Sequence, residues 1–295
     1  MISRFIKKIS LADVLTDFLK LKMIGSNAGL SSSRSRIGNN VVDFFTYKER
    51  LNTRGKYNMN YFEFIVNLET FKKKKFINNM LIYYRDVKNK NKTKNEYIVL
   101  KEVYNICISA INIFRPLVSM QVYEKYKPET VLDFTCGWGG RLVGAFALNV
   151  PNYIGIDINT NLQLPYIEMT NFLGMHSETK VQLYFEDAVL FDYSKLDYDM
   201  VLTSPPYYFL EKYPNNSCYG NSKDQMNLYF YTPLVTNTYK YLKPGGKYCL
   251  NINEEIYNSV CVPILGTAQE TIQLKKSKRQ NDYGEFIYVW FKNNF

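Results

Sequence analysis

The stretch Asp133-Phe134-Thr135-Cys136-Gly137-Trp138-Gly139-Gly140-Arg141 decides the fold. It opens in an apolar run, Thr130–Thr135, that reads as a strand, and it leads into a helical pattern over about 139–148. Glycines at such a junction permit positive φ and let a ligand approach the backbone closely. Working outward, further strands are expected at Tyr153–Asp157, Val181–Phe185, Met200–Thr203, Lys247–Ile252, Thr271–Lys275 and Phe286–Phe291. Helices near 161–174 and 224–242 fall between them, and Lys243-Pro244-Gly245-Gly246 stops the last one. This alternation predicts a seven-stranded, mostly parallel sheet covered on both faces. Ligands then bind beyond the carboxyl ends of the strands.

Three acids sit at successive strand tips: Asp133, Asp157 and Asp187. An acid ending the second strand can accept hydrogen bonds from both hydroxyls of a ribose. Asp187, after the third strand, suits an adenine amino group. The loop has no GKS or GKT and does not follow the GxGxxG dinucleotide spacing. A cofactor with a sugar, a base and a positive centre but no phosphate fits, and S-adenosylmethionine is such a molecule. The plainer alternative is that the acids only cap helices and strand ends.

The fourth strand runs into Ser204-Pro205-Pro206-Tyr207. Paired prolines fix the backbone and remove two N–H donors, leaving carbonyls free to point outward. Ser204 and the Pro205 carbonyl can accept hydrogen bonds from an exocyclic amine while Tyr207 stacks on its ring. Such acceptors localise a lone pair that is otherwise delocalised into the base, as methylation of an aromatic amine requires. A simple strand-ending turn is the alternative.

Composition narrows the chemistry. The 295 residues contain a single histidine, His176, and five cysteines without a CxxC pair. A His-rich metal site, a catalytic triad and a disulfide framework are not expected. No apolar run is long enough for a membrane span, and the amino terminus lacks a signal-peptide core, so an intracellular, cytoplasmic protein without a membrane partner is expected. The net charge of +10 is unevenly placed. Residues 1–100 hold 20 Lys and Arg against 8 Asp and Glu, whereas 101–295 hold 17 against 19. That asymmetry divides the chain into a basic, largely helical lobe at 1–100 and a catalytic domain at 101–295. The lobe is the expected meeting place for a polyanion, unless its charge reflects an AT-rich genome alone. Ser10 caps a predicted helix over 10–21. Gly25 to Asn40, with Arg34 and Arg36, reads as a loop that resists core formation, and 60–85 reads as helical but broken at Lys72, Lys73, Lys74 and Lys75. Another helix is expected around 97–113. Lys276, Lys278 and Arg279, between the last two strands, reach the ligand edge if strand six runs parallel to the others.

At these residues the chain resembles the amino-group DNA methyltransferases, which make N4-methylcytosine or N6-methyladenine. The glycine loop Asp133 to Gly139 and Ser204-Pro205-Pro206-Tyr207 carry the likeness. Arg115-Pro116-Leu117 is similar to the family's helix-opening segment, and the resemblance spans roughly 113–292. It implies a Rossmann-like class I S-adenosylmethionine-dependent methyltransferase fold. It implies catalysis by Ser204, Pro205, Pro206 and Tyr207. Cofactor binding is assigned to Arg115, Asp133, Phe134, Thr135, Cys136, Gly137, Gly139, Asp157, Ile158, Asp187 and Ala188, with no metal. In this family a serine at the first catalytic position leans toward cytosine N4, an aspartate toward adenine N6. No Pro-Cys nucleophile for carbon-5 methylation is present. The family's usual slots for target recognition are nearly empty here, so recognition falls to the basic lobe and to the insert Tyr208 to Lys223. DNA is the expected partner and RNA the alternative. A silent nucleic-acid-binding subunit is the non-enzymatic rival, against which the intact tetrapeptide and acids count.

Overall fold

The computed structural model describes residues 2–30, 35–109, 112–209, 219–274 and 285–293. The amino-terminal third is helical: α1 (Ile2–Ile6), α2 (Leu11–Ile24), α3 (Asn39–Asn52), α4 (Tyr61–Val66), α5 (Leu68–Lys72), α6 (Lys75–Ile82) and α7 (Glu96–Cys107). Ser10 caps α2 in a capping box with Asp13, and Asn60 does the same for α4 with Glu63. The lysine run interrupts the helices at Lys73 and Lys74, as its sequence predicts.

α8 (Pro116–Tyr126) leads into the sheet, with Pro116 at its first turn. β1 (Thr130–Asp133), α9 (Gly140–Leu148), β2 (Asn152–Ile156), α10 (Gln163–Gly174), β3 (Lys180–Tyr184) and β4 (Met200–Thr203) follow. α11 (Lys223–Met226) joins α12 (Thr232–Lys240) through a wider π turn at Asn227–Tyr231. β5 (Lys247–Ile252), α13 (Glu254–Ile256), α14 (Val262–Leu265), β6 (Glu270–Leu274) and β7 (Glu285–Phe291) complete the order.

All seven expected strands form, within a residue or two of their predicted ends. Their order is β3-β2-β1-β4-β5-β7-β6. β1 to β5 pair in parallel, and β7 inserts antiparallel between β5 and β6. This is the Rossmann-like class I methyltransferase fold. The order reverses between β1 and β4, so the crevice for a ligand opens where the chain leaves those two strands. Because β6 is antiparallel to β7, it runs with the parallel strands and ends on that same edge.

The core does not follow the charge boundary. Val14, Phe18, Leu21, Val41 and Val42 of α2 and α3 are fully buried in the cluster that also holds α8, α9 and α10. The far face of the sheet packs Tyr198, Phe230, Tyr231, Leu234 and Trp290. A third cluster joins the end of α3 to α4–α7 through Leu51, Tyr61, Phe64, Leu81 and Tyr104. The Gly25 to Asn40 reading needs correction over its described residues. Gly25–Leu30 forms a tight 3-10 turn, Ala28 is fully buried, and its carbonyl accepts from Gln121 at 3.1 Å. Small residues there permit close packing against α8, which composition alone does not reveal.

Candidate active site

The glycine loop is held from beneath. The Asp133 carboxylate, fully buried at the end of β1, accepts from Arg141 Nε at 2.6 Å, the Tyr153 hydroxyl at 2.5 Å and the Thr203 hydroxyl at 2.8 Å. Thr203 donates to Asp133, so the Thr135 hydroxyl is the donor in its 2.6 Å contact with Thr203. The tips of β1 and β4 are thereby tied together. Burial works against the Arg141 charge, but Asp133 outweighs it and holds that guanidinium firmly protonated. Gly139 starts α9 with φ of 88°, a conformation that a side chain resists. At Gly140 a Cβ would stand 1.8 Å from the Phe114 carbonyl oxygen, so only glycine lets the segment before Arg115 lie against the loop.

Asp157 follows β2. One carboxylate oxygen accepts from Gly137 N at 2.7 Å, the other from Asn159 N at 2.9 Å. Each keeps a lone pair for another donor. Burial pushes its carboxyl up to about 6, against the pull of those two N–H groups. Asp187 accepts from Val189 N at 3.0 Å and from the Tyr219 hydroxyl. The Ala188 carbonyl accepts from Tyr193 at 2.7 Å. The Cys136 thiol is buried, and burial raises its pKa well above the ordinary value. It behaves as packing rather than as a nucleophile.

Beyond β4 the chain turns through Ser204-Pro205-Pro206-Tyr207. Asn251, buried on the adjacent strand β5, receives Ser204 Oγ at 3.1 Å and the Tyr207 hydroxyl at 3.0 Å on the same Oδ1. Its Nδ2 donates to the Phe286 carbonyl at 3.0 Å, which fixes the orientation of the amide. The Pro206 carbonyl accepts from Tyr231, and Tyr208 N donates to that same hydroxyl at 3.0 Å. Tyr208 has φ of 50°, a strained value for a bulky residue. Its edge-on contact with Tyr231, 5.5 Å between ring centres, helps to hold it.

These loops share one cleft of about 1400 Å³. Arg115, Phe134, Thr135, Cys136, Gly137, Asp157, Ile158, Asp187, Ala188, Ser204, Pro205, Pro206 and Tyr207 line it, as does Arg36 of the amino-terminal segment. Asp133 and Gly139 stand behind it. Asp133 was expected to meet the cofactor, but its carboxylate is turned into the protein, where it anchors Arg141, Tyr153 and Thr203. Lys72 to Lys75 lie away from the cleft. Lys72 pairs with Glu69, and Lys74 sits over the Tyr57 ring at 4.8 Å. Arg34, Lys276, Lys278 and Arg279 lie outside the described residues. Leu274 and Glu285, which bound the segment containing the last three, both line the cleft. His176 packs against Phe18 and Phe172. Among the described residues no helix is long and apolar enough to cross a membrane.

Sequence reasoning missed Asn251. Its one signal is a polar residue inside the apolar run Tyr248–Ile252, where a buried amide must find partners. It also missed the helices α1 and α3, which together with the expected helix α7 bring Lys7, Asp43, Tyr47, Arg50 and Lys101 to the same cleft. The Thr46 hydroxyl on α3 reaches the Trp138 carbonyl at 3.1 Å, so this helix lies directly on the glycine loop.

No protein-family model matches the chain, and no curated protein sequence matches it. Among solved structures it is similar to TrmN from Thermus thermophilus, with 16% identity, TM-score 0.45, 60% of this chain and 48% of that one covered. An rRNA methylase from Streptococcus thermophilus gives 13% identity, TM-score 0.41 and coverage of 62% and 100%. A methyltransferase homolog from Pyrococcus horikoshii gives 17%, 0.42, 63% and 73%. The chain thus spans about half the length of the first of these. Each is a likeness of fold.

Proposed function

We propose that this chain is an S-adenosylmethionine-dependent methyltransferase acting on the exocyclic amino group of a nucleic-acid base. One observation carries the reading: Ser204 to Tyr207 share a single cleft with the glycine loop and Asp157, and Asn251 fixes two of their side chains. The cleft fits the cofactor. Asp157 and Asp187 supply acceptors, and the positive φ of Gly137 opens the backbone. The only cation within the loop's first helical turn, Arg141, is neutralised by Asp133, which suits a ligand without phosphate. When bound, S-adenosylmethionine supplies a methyl group made electrophilic by its sulfonium, and Arg115 is assigned to its methionine end.

The chain's own residues prepare the amine. Ser204 directs its proton to Asn251, which leaves its oxygen lone pairs as acceptors for an amine hydrogen. The Pro205 carbonyl is assigned to the other. Together they draw the nitrogen toward tetrahedral geometry and localise its lone pair for attack. The Tyr207 ring, tethered at its hydroxyl, supports the face of the base.

The serine of the tetrapeptide favours cytosine N4 of DNA over adenine N6. A base must enter this recess unpaired, which costs duplex DNA a few kcal/mol of flipping. A single-stranded RNA base avoids most of that cost, and RNA is therefore the second reading. The test is incubation with methyl-labelled cofactor and either DNA or RNA, followed by mass spectrometry of the nucleosides. An amine-methylated base supports the proposal. Carbon methylation, or no product on any nucleic acid, overturns it.

A further inference from the structure

The charged lining of the cleft divides by element. Asp157, Asp187 and Glu285 come from the sheet edge, where Arg141 is paired with Asp133, whereas Lys7, Arg36, Arg50 and Lys101 come from the amino-terminal helical segment, with Asp43 and Glu102 as the acids among them. Glu102 already pairs with Lys94. Asp43, almost fully buried, takes both Lys7 and Arg50. The Tyr47 ring has Lys7 at 5.4 Å and Arg50 at 5.0 Å from its centre, so both heads are held in place before any ligand arrives. Lys101, on α7, donates to Asn105. Burial, then repulsion from Arg50 and Lys7, pushes its ammonium down to about 7 although Asp43 opposes this. Three cations thus face one carboxylate in a partly desolvated recess. An anion there relieves that repulsion, and a phosphodiester beside the base is the anion available to this cleft.

We propose that Lys7, Arg50 and Lys101 form a phosphate subsite that holds the backbone of the nucleic acid next to the base presented to Tyr207. The subsite rests on the methyltransferase reading above and extends it to residues outside the methyltransferase motifs. Three helices far apart in sequence build it, which gives the amino-terminal segment a role inside the cleft. The other anion compatible with these cations is the carboxylate of the cofactor's methionine end.

The experiment measures binding of single-stranded DNA and RNA oligonucleotides against salt, and cofactor affinity by calorimetry, for wild type, Lys101→Gln, Lys101→Arg and Lys7→Gln/Lys101→Gln. One phosphate contact on a single strand contributes a slope of about 0.7, which is about fivefold in affinity at about 0.1 M salt. Lys101→Gln is expected to lose about that much, and the double variant about twice the slope. Lys101→Arg is expected to retain binding, and cofactor affinity to stay unchanged throughout. The Lys101 amine, followed by NMR, is expected to titrate higher once oligonucleotide is added. Wild-type affinity and slope in the folded double variant overturn the subsite while leaving methyl transfer intact. Loss of cofactor affinity alone reassigns the cations to the cofactor carboxylate and also overturns it. A wild-type protein that binds no nucleic acid removes the underlying reading as well.

Discussion

Asn251 Oδ1 accepts the Ser204 hydroxyl at 3.1 Å, so the side chain that heads the Ser204–Tyr207 loop is oriented by the neighbouring strand and not by its own turn. The same oxygen holds Tyr207. Asn251→Ala strands the Ser204 hydroxyl and leaves the Tyr207 hydroxyl only the main-chain carbonyl of residue 251, a loss of about 1–3 kcal/mol for an unpaired polar group. Turnover is expected to fall roughly five- to a hundred-and-fifty-fold on that basis, with cofactor affinity unchanged. Wild-type kcat in the folded variant removes Asn251 from the positioning role.

Tyr207 separates two contributions. Tyr207→Phe keeps the ring and loses the tether to Asn251, whereas Tyr207→Ala loses both. Loss of a stacking platform costs about 1–3 kcal/mol per base. The expected order of activity is wild type, then Phe, then Ala, with cofactor binding equal in all three. Equal turnover of Ala and wild type at subsaturating nucleic acid shows that the ring does not meet the base.

Asp157 predicts a pH dependence with two signs. Its carboxyl, ordinarily near 3.8, is raised to about 6, so the folded cofactor-free protein favours the protonated form. Its contribution to stability is therefore greatest below about 4 and is lost as pH rises through about 6. Cofactor binding runs the other way, because ribose hydroxyls donate best to the carboxylate. Affinity is expected to tighten between about pH 5 and about pH 7, and Asp157→Ala to flatten that profile while weakening binding by about 1.5–3 kcal/mol. Calorimetry showing a flat wild-type profile rules out the ribose assignment.

Arg141 and Asp133 form a buried pair, with side chains 5% and 0% exposed. Removing one partner of such a pair costs about 3–5 kcal/mol, because the other charge stays buried. Arg141→Met is expected to lower the unfolding free energy from denaturant titration by that much, and Asp133→Leu/Arg141→Met to recover part of it. A single variant as stable as wild type means that Tyr153 and Thr203 suffice to hold Asp133.

The strands β1 to β4 were legible because each is a short run followed within four residues by Asp, Gly or Pro, and those closing signals sit at the ligand edge. That Ser204-Pro205-Pro206-Tyr207 leaves β4 at this edge was legible for the same reason, since paired prolines end a strand. Asp133 misled because strand-tip spacing places a carboxylate near the crevice without saying which way it turns. Only the buried partners Arg141, Tyr153 and Thr203 settle that. Lys7, Arg50 and Lys101 carried no local pattern at all. Their meeting depends on α1, α3 and α7 packing together, and pair spacing along a chain does not encode such a contact.

The run Lys72–Lys75 gives the last prediction. Lys73, Lys74 and Lys75 are exposed, and none of the run lines the cleft. Lys72 is engaged with Glu69 and Lys74 with the Tyr57 ring, whereas Lys73 and Lys75 extend from the break between α5 and α6. If this patch grips duplex backbone outside the cleft, each phosphate contact contributes about 0.9 to the salt slope. Lys73→Gln/Lys75→Gln is then expected to make the slope shallower by about 1.8, equally for all sequences, because phosphate contacts carry no direct sequence information. Methyl transfer at saturating nucleic acid is expected to be unchanged, since neither residue lies near Ser204 or Tyr207 in the cleft. An unaltered slope assigns the lysines to solvation of an exposed helix break and leaves the cleft cations as the principal contacts with nucleic acid.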